Sequence, residues 1–224
     1  LFASRADAIA SLGALALIGG VATTTVTEAV MNHDLRGAAR AERLGDNATT
    51  YGIEGRDAAG RRAAFDLVVL DKRFDWVRGS TTELQKDGEV IPAADIARTV
   101  LNEPVRLRLA QAVEIIAVGT PPSEGDVEAE THRAGQRAQQ TASWVADAVP
   151  ASIPVHTLNF GQYRNPCADC ETADTSWQRP FMVVAVREKE PGTDIAEALA
   201  AAMQGKSNLP SVAAYSSFGF AKFR

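Results

Sequence analysis

Cys167 and Cys170 are the chain's two cysteines, and the Cys-Ala-Asp-Cys spacing invites thiol chemistry. Glu171 follows the second cysteine where c-type haem attachment requires histidine, so that chemistry is excluded. One such pair supplies two metal ligands where zinc takes four. The histidines, His33, His132 and His156, do not add a ligand-like spacing. Thioredoxin-type exchange needs the pair at the start of a helix that follows a strand, whereas this one sits in a Pro-, Asp- and Thr-rich loop. A small loop-clipping disulfide is the expected state, with free thiols as the competing reading. A disulfide favours an oxidising compartment.

The other chemical groups suggest structure more than catalysis. Asp126, Glu128 and Glu130 fall in the first turns of a predicted helix, where the helix dipole favours carboxylates. Ser123 follows Pro121 and Pro122 without the glycine pattern of a nucleophile elbow. Gly52, Gly55 and Gly60 lack the Lys-Ser/Thr ending of a phosphate loop. Trp76, Trp144 and Trp177 read as core or interface anchors. The expectation is a protein that is not an enzyme and uses neither cofactor nor metal. A net charge of −5 without a dense basic patch argues against nucleic acid as a partner.

These residues must be positioned by regular elements. Val113–Val118 is a short apolar run bounded by turn residues and reads as a buried strand. A long polar helix from Asp126 to Val149 follows. Thr49–Ile53 and Ala63–Leu70 read as two strands, and Arg73–Gly88 as irregular. Pro92 opens a helix over 93–101, and a further turn of helix runs past Pro104 to Ala110. Val155–Phe160 and Pro180–Arg187 are strands. Thr193 is the expected N-cap of a helix over Asp194–Gln204, stopped by Gly205. The core order is strand, helix, strand, helix, strand, strand. That predicts an α/β fold of the α+β sandwich kind, a split βαβ sheet with helices on one face.

Ahead of this lies Ala8–Thr27, 20 uncharged residues between Asp7 and Glu28. As a helix it would span about 30 Å, the thickness of a bilayer core. Gly13, Gly19 and Gly20 suit close packing against another membrane helix. A transmembrane anchor over 1–31 is the leading reading, beside a buried soluble helix and a signal-peptide remnant. Residues 32–48 read as a juxtamembrane linker, 49–205 as the main domain and 206–224 as an aromatic tail. Tyr215, Phe218, Phe220 and Phe223 in that tail, costly to leave in water, are expected to dock onto a partner.

Gly119, Gly125 and the pair Arg137-Ala138 keep a spacing that resembles the OmpA-like cell-envelope domain. Gly161 and Pro166 resemble its Gly…Pro loop, and Gln178-Arg179 stands where the family carries Asn-Arg-Arg. The resemblance covers roughly residues 65–186. It implies a bacterial inner-membrane protein, single-pass, with its main domain in the periplasm. The arginines after the apolar segment (Arg36, Arg40, Arg43) taken alone would place the domain in the cytoplasm. The family binds the carboxylates and amine of diaminopimelate in peptidoglycan. The resemblance assigns the carboxylate grip to Arg137, through charge-assisted hydrogen bonds. The family's turn Asp is Pro122 here, which has neither a side-chain acceptor nor a backbone N–H. Its helix Asn is Glu130, and Glu124 and Asp126 are the acids that could substitute.

The resulting expectation is a membrane-anchored periplasmic scaffold, an accessory subunit bound to other membrane protein subunits. The alternative is a peptidoglycan-binding wall anchor, including a flagellar-stator-like ion-channel partner in which Asp7 carries the ion.

Overall fold

The computed structural model describes residues 40–120, 125–164, 180–204, 206, 209 and 212–224. The expected membrane anchor with Gly13, Gly19 and Gly20 lies outside the described residues. So do Pro122, Glu124, Cys167, Cys170 and Gly205.

The strands are β1 (Arg40–Leu44), β2 (Ala48–Arg56), β3 (Arg62–Leu70), β4 (Phe74–Trp76), β5 (Leu84–Lys86), β6 (Glu89–Val90), β7 (Glu114–Gly119), β8 (Val155–Asn159), β9 (Met182–Lys189) and β10 (Gly219–Lys222). The helices are α1 (Ala93–Val100), α2 (Glu103–Leu109), α3 (Val127–Ala148) and α4 (Ile195–Met203). A seven-stranded sheet has the order β1-β2-β3-β9-β7-β8-β10, and β4, β5 and β6 form a separate small sheet. This is a mixed, α+β architecture.

Connectivity follows from the apolar pattern. β7 and β8 are parallel, Ile115 opposite Val155, and α3 carries the chain between them. β9 lies antiparallel between β3 and β7, so it splits the unit that α1 and α2 connect. In β7, five of the six residues are buried, because helices or loops cover both sheet faces.

Alternate strand residues feed two cores. On one face Val68, Ile115, Ala117, Val155 and Val183 pack with Ile96 of α1, Leu109 of α2 and Ala142 and Val145 of α3. On the other, Phe65, Leu67, Ile116, Leu158 and Val184 pack with Ala198, Leu199 and Ala202 of α4. The expectation of helices on one face is therefore corrected: α1, α2 and α3 share a face, and α4 covers the opposite one. Glycine permits the closest approach on each side. A Cβ on Gly119 would sit 1.8 Å from the Ala134 carbonyl oxygen of α3, and one on Gly55 would sit 2.0 Å from that of Ala198 in α4.

Three further expectations change. Arg40–Leu44, expected within the linker, is edge strand β1, paired in register with Ala48–Gly52. Its first four residues are exposed, so backbone ladder bonds define it and its side chains give no burial pattern. The sheet thus begins before residue 49, and Ala39–Arg224 forms one compact unit. The stretch from Arg73 to Gly88 contains β4 and β5, strands of three residues each, too short to show a period. Asp194, not Thr193, caps α4, its Oδ1 accepting from the N–H groups of Ala196 and Glu197. Thr193 instead donates its hydroxyl to the Glu190 carbonyl at 2.8 Å.

Candidate functional site

The carboxyl ends of β7 and β8 meet the amino-terminal half of α3, and most residues singled out by the resemblance gather there. Asp126 starts α3 as its N-cap, accepting from the N–H groups of Glu128 (2.9 Å) and Ala129 (3.2 Å). This satisfies two of the helix's unbonded donors. Glu130 lies one turn on, buried against Gly125 and ion-paired with Arg133. Gly125, which has no Cβ, makes room for it.

Arg137 is fully buried. Its Nη1 donates to the Thr120 carbonyl at 2.9 Å, its Nε to that of Ser80 at 3.0 Å and its Nη2 to that of Val77 at 3.4 Å. The guanidinium carbon stands 5.3 Å from the centroid of the Trp76 ring, within cation–π range. Trp76 stacks in turn on Trp144 of α3, with centroids 5.7 Å apart. Arg137 therefore ties the carboxyl end of β7 and the β4–β5 loop to α3 from inside. A guanidinium at zero exposure is not presented to solvent.

Sequence reasoning did not find the residues that brace this end. Asn159 uses both ends of its amide: Nδ2 donates to the Thr131 carbonyl (2.9 Å), and Oδ1 accepts from Gly161 N–H (2.8 Å). Gln162 Nε2 donates to the Gly125 carbonyl at 2.6 Å. Thr120 is buried and donates its hydroxyl to Pro180. Thr120, Asn159 and Gln162 are polar residues at or shortly past strand ends, and only the fold brings them together.

The tail meets the same region. Tyr215 stacks on Phe160 with centroids 4.9 Å apart, and Phe218 approaches Phe160 edge-on at 5.7 Å. Burial pushes the Tyr215 hydroxyl's pKa up, with the nearby Tyr163 adding to the shift. Ser216 accepts from Gln162 N–H at 2.7 Å. Phe220, on β10, stacks on His156 of β8 at 4.9 Å. Tyr215, Phe218 and Phe220, expected to dock onto a partner, find their contacts in this chain. Phe223 is exposed, at 37%. The physical reason is that β10 pairs antiparallel with β8, which lays Phe220, and Tyr215 and Phe218 just ahead of the strand, against the second core.

A second polar cluster sits at the opposite ends of β7 and β8. Glu114 Oε2 and His156 Nε2 share a hydrogen bond at 2.8 Å, and Lys189 of β9 pairs with Glu114 Oε1. Among the described residues, no three His, Cys, Asp or Glu side chains converge to hold a metal ion. Among them too, no helix is long and apolar enough to cross a membrane.

No protein-family model matches this chain, and a search of curated proteins finds no match.

Proposed function

We propose that this chain is a non-enzymatic cell-envelope protein whose residues 40–224 form an OmpA-like scaffold. Its job is that of an accessory, structural subunit of a larger bacterial inner-membrane assembly, with this domain in the periplasm. The observation that carries the reading is the position of Arg137. It stands where the resemblance puts the ligand-gripping arginine, yet it is spent on the backbone of Val77, Ser80 and Thr120. A ligand carboxylate would have to open the core to reach it. The split unit β3-α1-α2-β7 with β9 between its strands, followed by β7-α3-β8, supports the fold side of the same reading.

The test is co-sedimentation of the whole chain with purified peptidoglycan sacculi, with and without a competing diaminopimelate peptide, beside native electrophoresis of detergent-solubilised envelope. The expected result is no sedimentation that the peptide can compete away, and migration of the chain with a high-mass membrane complex. Peptide-competed sedimentation and a monomeric band would replace the scaffold with the wall anchor.

A further inference from the structure

A trough of about 570 Å³ runs along the outer side of α3, between the β4–β5 loop and Asn159 at the carboxyl end of β8. We propose that it is a binding site for a neutral oligosaccharide. The inference goes beyond the scaffold reading and does not depend on it.

Gln136, Gln139, Gln140 and Asn159 offer side-chain amides, and Thr81 and Thr82 offer hydroxyls. Among the described residues, the lining has no ionisable side chain apart from His132 and no large apolar one. In a chain with 23% charged residues, α3 exposes no charge between Ala134 and Ala146; the single charged residue in that stretch, Arg137, is buried. Each amide both donates and accepts, as does each hydroxyl. Such a set matches the hydroxyl groups of a sugar. A charged peptide or phosphate would lose hydration there and meet, among the described lining residues, no side chain of permanent charge.

The loop side and the Asn159 end of the trough are fixed before any ligand arrives. Arg137 holds the β4–β5 loop by the carbonyls of Val77 and Ser80. Within that loop Ser80 Oγ accepts from the N–H groups of Thr82 (3.3 Å) and Glu83 (3.0 Å). Asn159 is held at both ends of its amide, and Gly135 lets it approach: a Cβ there would lie 3.1 Å from Nδ2. Groups already locked in place lose little freedom on binding. The trough also lies at the carboxyl ends of the parallel pair β7 and β8, and that is the usual ligand side of an α/β sheet.

The experiment is NMR titration of the ¹⁵N-labelled full chain with β-1,4-linked tetramers of glucose and of N-acetylglucosamine, following backbone and side-chain amide signals. The expected result is saturable shifts at Gln136, Gln139, Asn159 and Thr82 with at least one tetramer. The exposed double variant Gln136→Ala/Gln139→Ala should weaken binding at least tenfold, and Arg40→Ala, on β1 at the far sheet edge, should not change it. Which tetramer binds reports whether the N-acetyl group is read. The proposal is overturned by the absence of shifts with either tetramer at millimolar concentration, by affinity unchanged in the double variant, or by tighter binding of a neutral tetrapeptide at the same signals. Sacculus sedimentation competed by a diaminopimelate peptide would overturn the scaffold reading and leave this outcome untouched.

Discussion

Glu114 joins three strands through one carboxylate: its own β7, β8 through His156 and β9 through Lys189. Burial raises its pKa, but the hydrogen bonds from Lys189 and His156 outweigh that, and the carboxyl titrates below its ordinary 4.5. A carboxyl with a depressed folded-state pKa binds its proton more weakly folded than unfolded. Its contribution is therefore complete above the ordinary value and is lost as pH falls below 4.5 through the folded-state value. Urea unfolding at stepped pH should show an acid-side loss of stability that Glu114→Gln reduces. At neutral pH the same variant should cost about 0.5–1.5 kcal/mol, the scale for a hydrogen bond between partly exposed groups. An identical acid limb in both proteins would remove Glu114 from this role. Neither Glu114 nor His156 was legible as a cluster, because 42 residues separate them and only the parallel pairing of β7 and β8 unites them. Arg137 shows the reverse case. Its place on a long helix was readable, but its burial was not, since the carbonyls it serves come from the β4–β5 loop and the end of β7.

At the scale of elements, α3 is the part best written in the sequence. Its N-cap Asp126 and its span to Ala148 follow the expected helix to within a residue or so. Ala134, Ala138 and Ala142 in its buried stripe bring the helix axis close to β7, and Gly119 completes that approach. Gly119→Ala would drive a methyl into the Ala134 carbonyl and within 2.7 Å of the Ala138 nitrogen, both backbone atoms that no rotamer change can clear. The expected cost is about 3 kcal/mol, at the upper end for overpacking. Chemical denaturation checks it: a loss below about 0.5 kcal/mol, the range of ordinary surface substitutions, would sink the close-packing account. β1, β4, β5 and β6 were unreadable for a common reason. Short or edge strands are stabilised by ladder bonds to neighbours, and those leave no side-chain period.

At the scale of the whole molecule, the tail closes the sheet edge beyond β8. β10 pairs with β8, Arg224 donates to the Ala146 and Pro150 carbonyls at the end of α3, and Tyr215 covers Phe160. Truncation before Tyr215 should destabilise the protein by at least about 3 kcal/mol, the scale for losing a buried aromatic. A truncated chain with an unchanged denaturation midpoint would return the tail to the role of a partner-docking segment. The sequence by itself determined the core elements β3, β7, α3, β8, β9 and α4, the start of α3 and the non-basic composition. These depend on local periodicity, capping and composition, which act over a few residues. Only the tertiary structure decided that helices cover both faces, that Arg137 points inward and that the aromatic tail folds back. Each of those depends on contacts between distant segments, and a side chain's pattern says that it must be covered without saying by what.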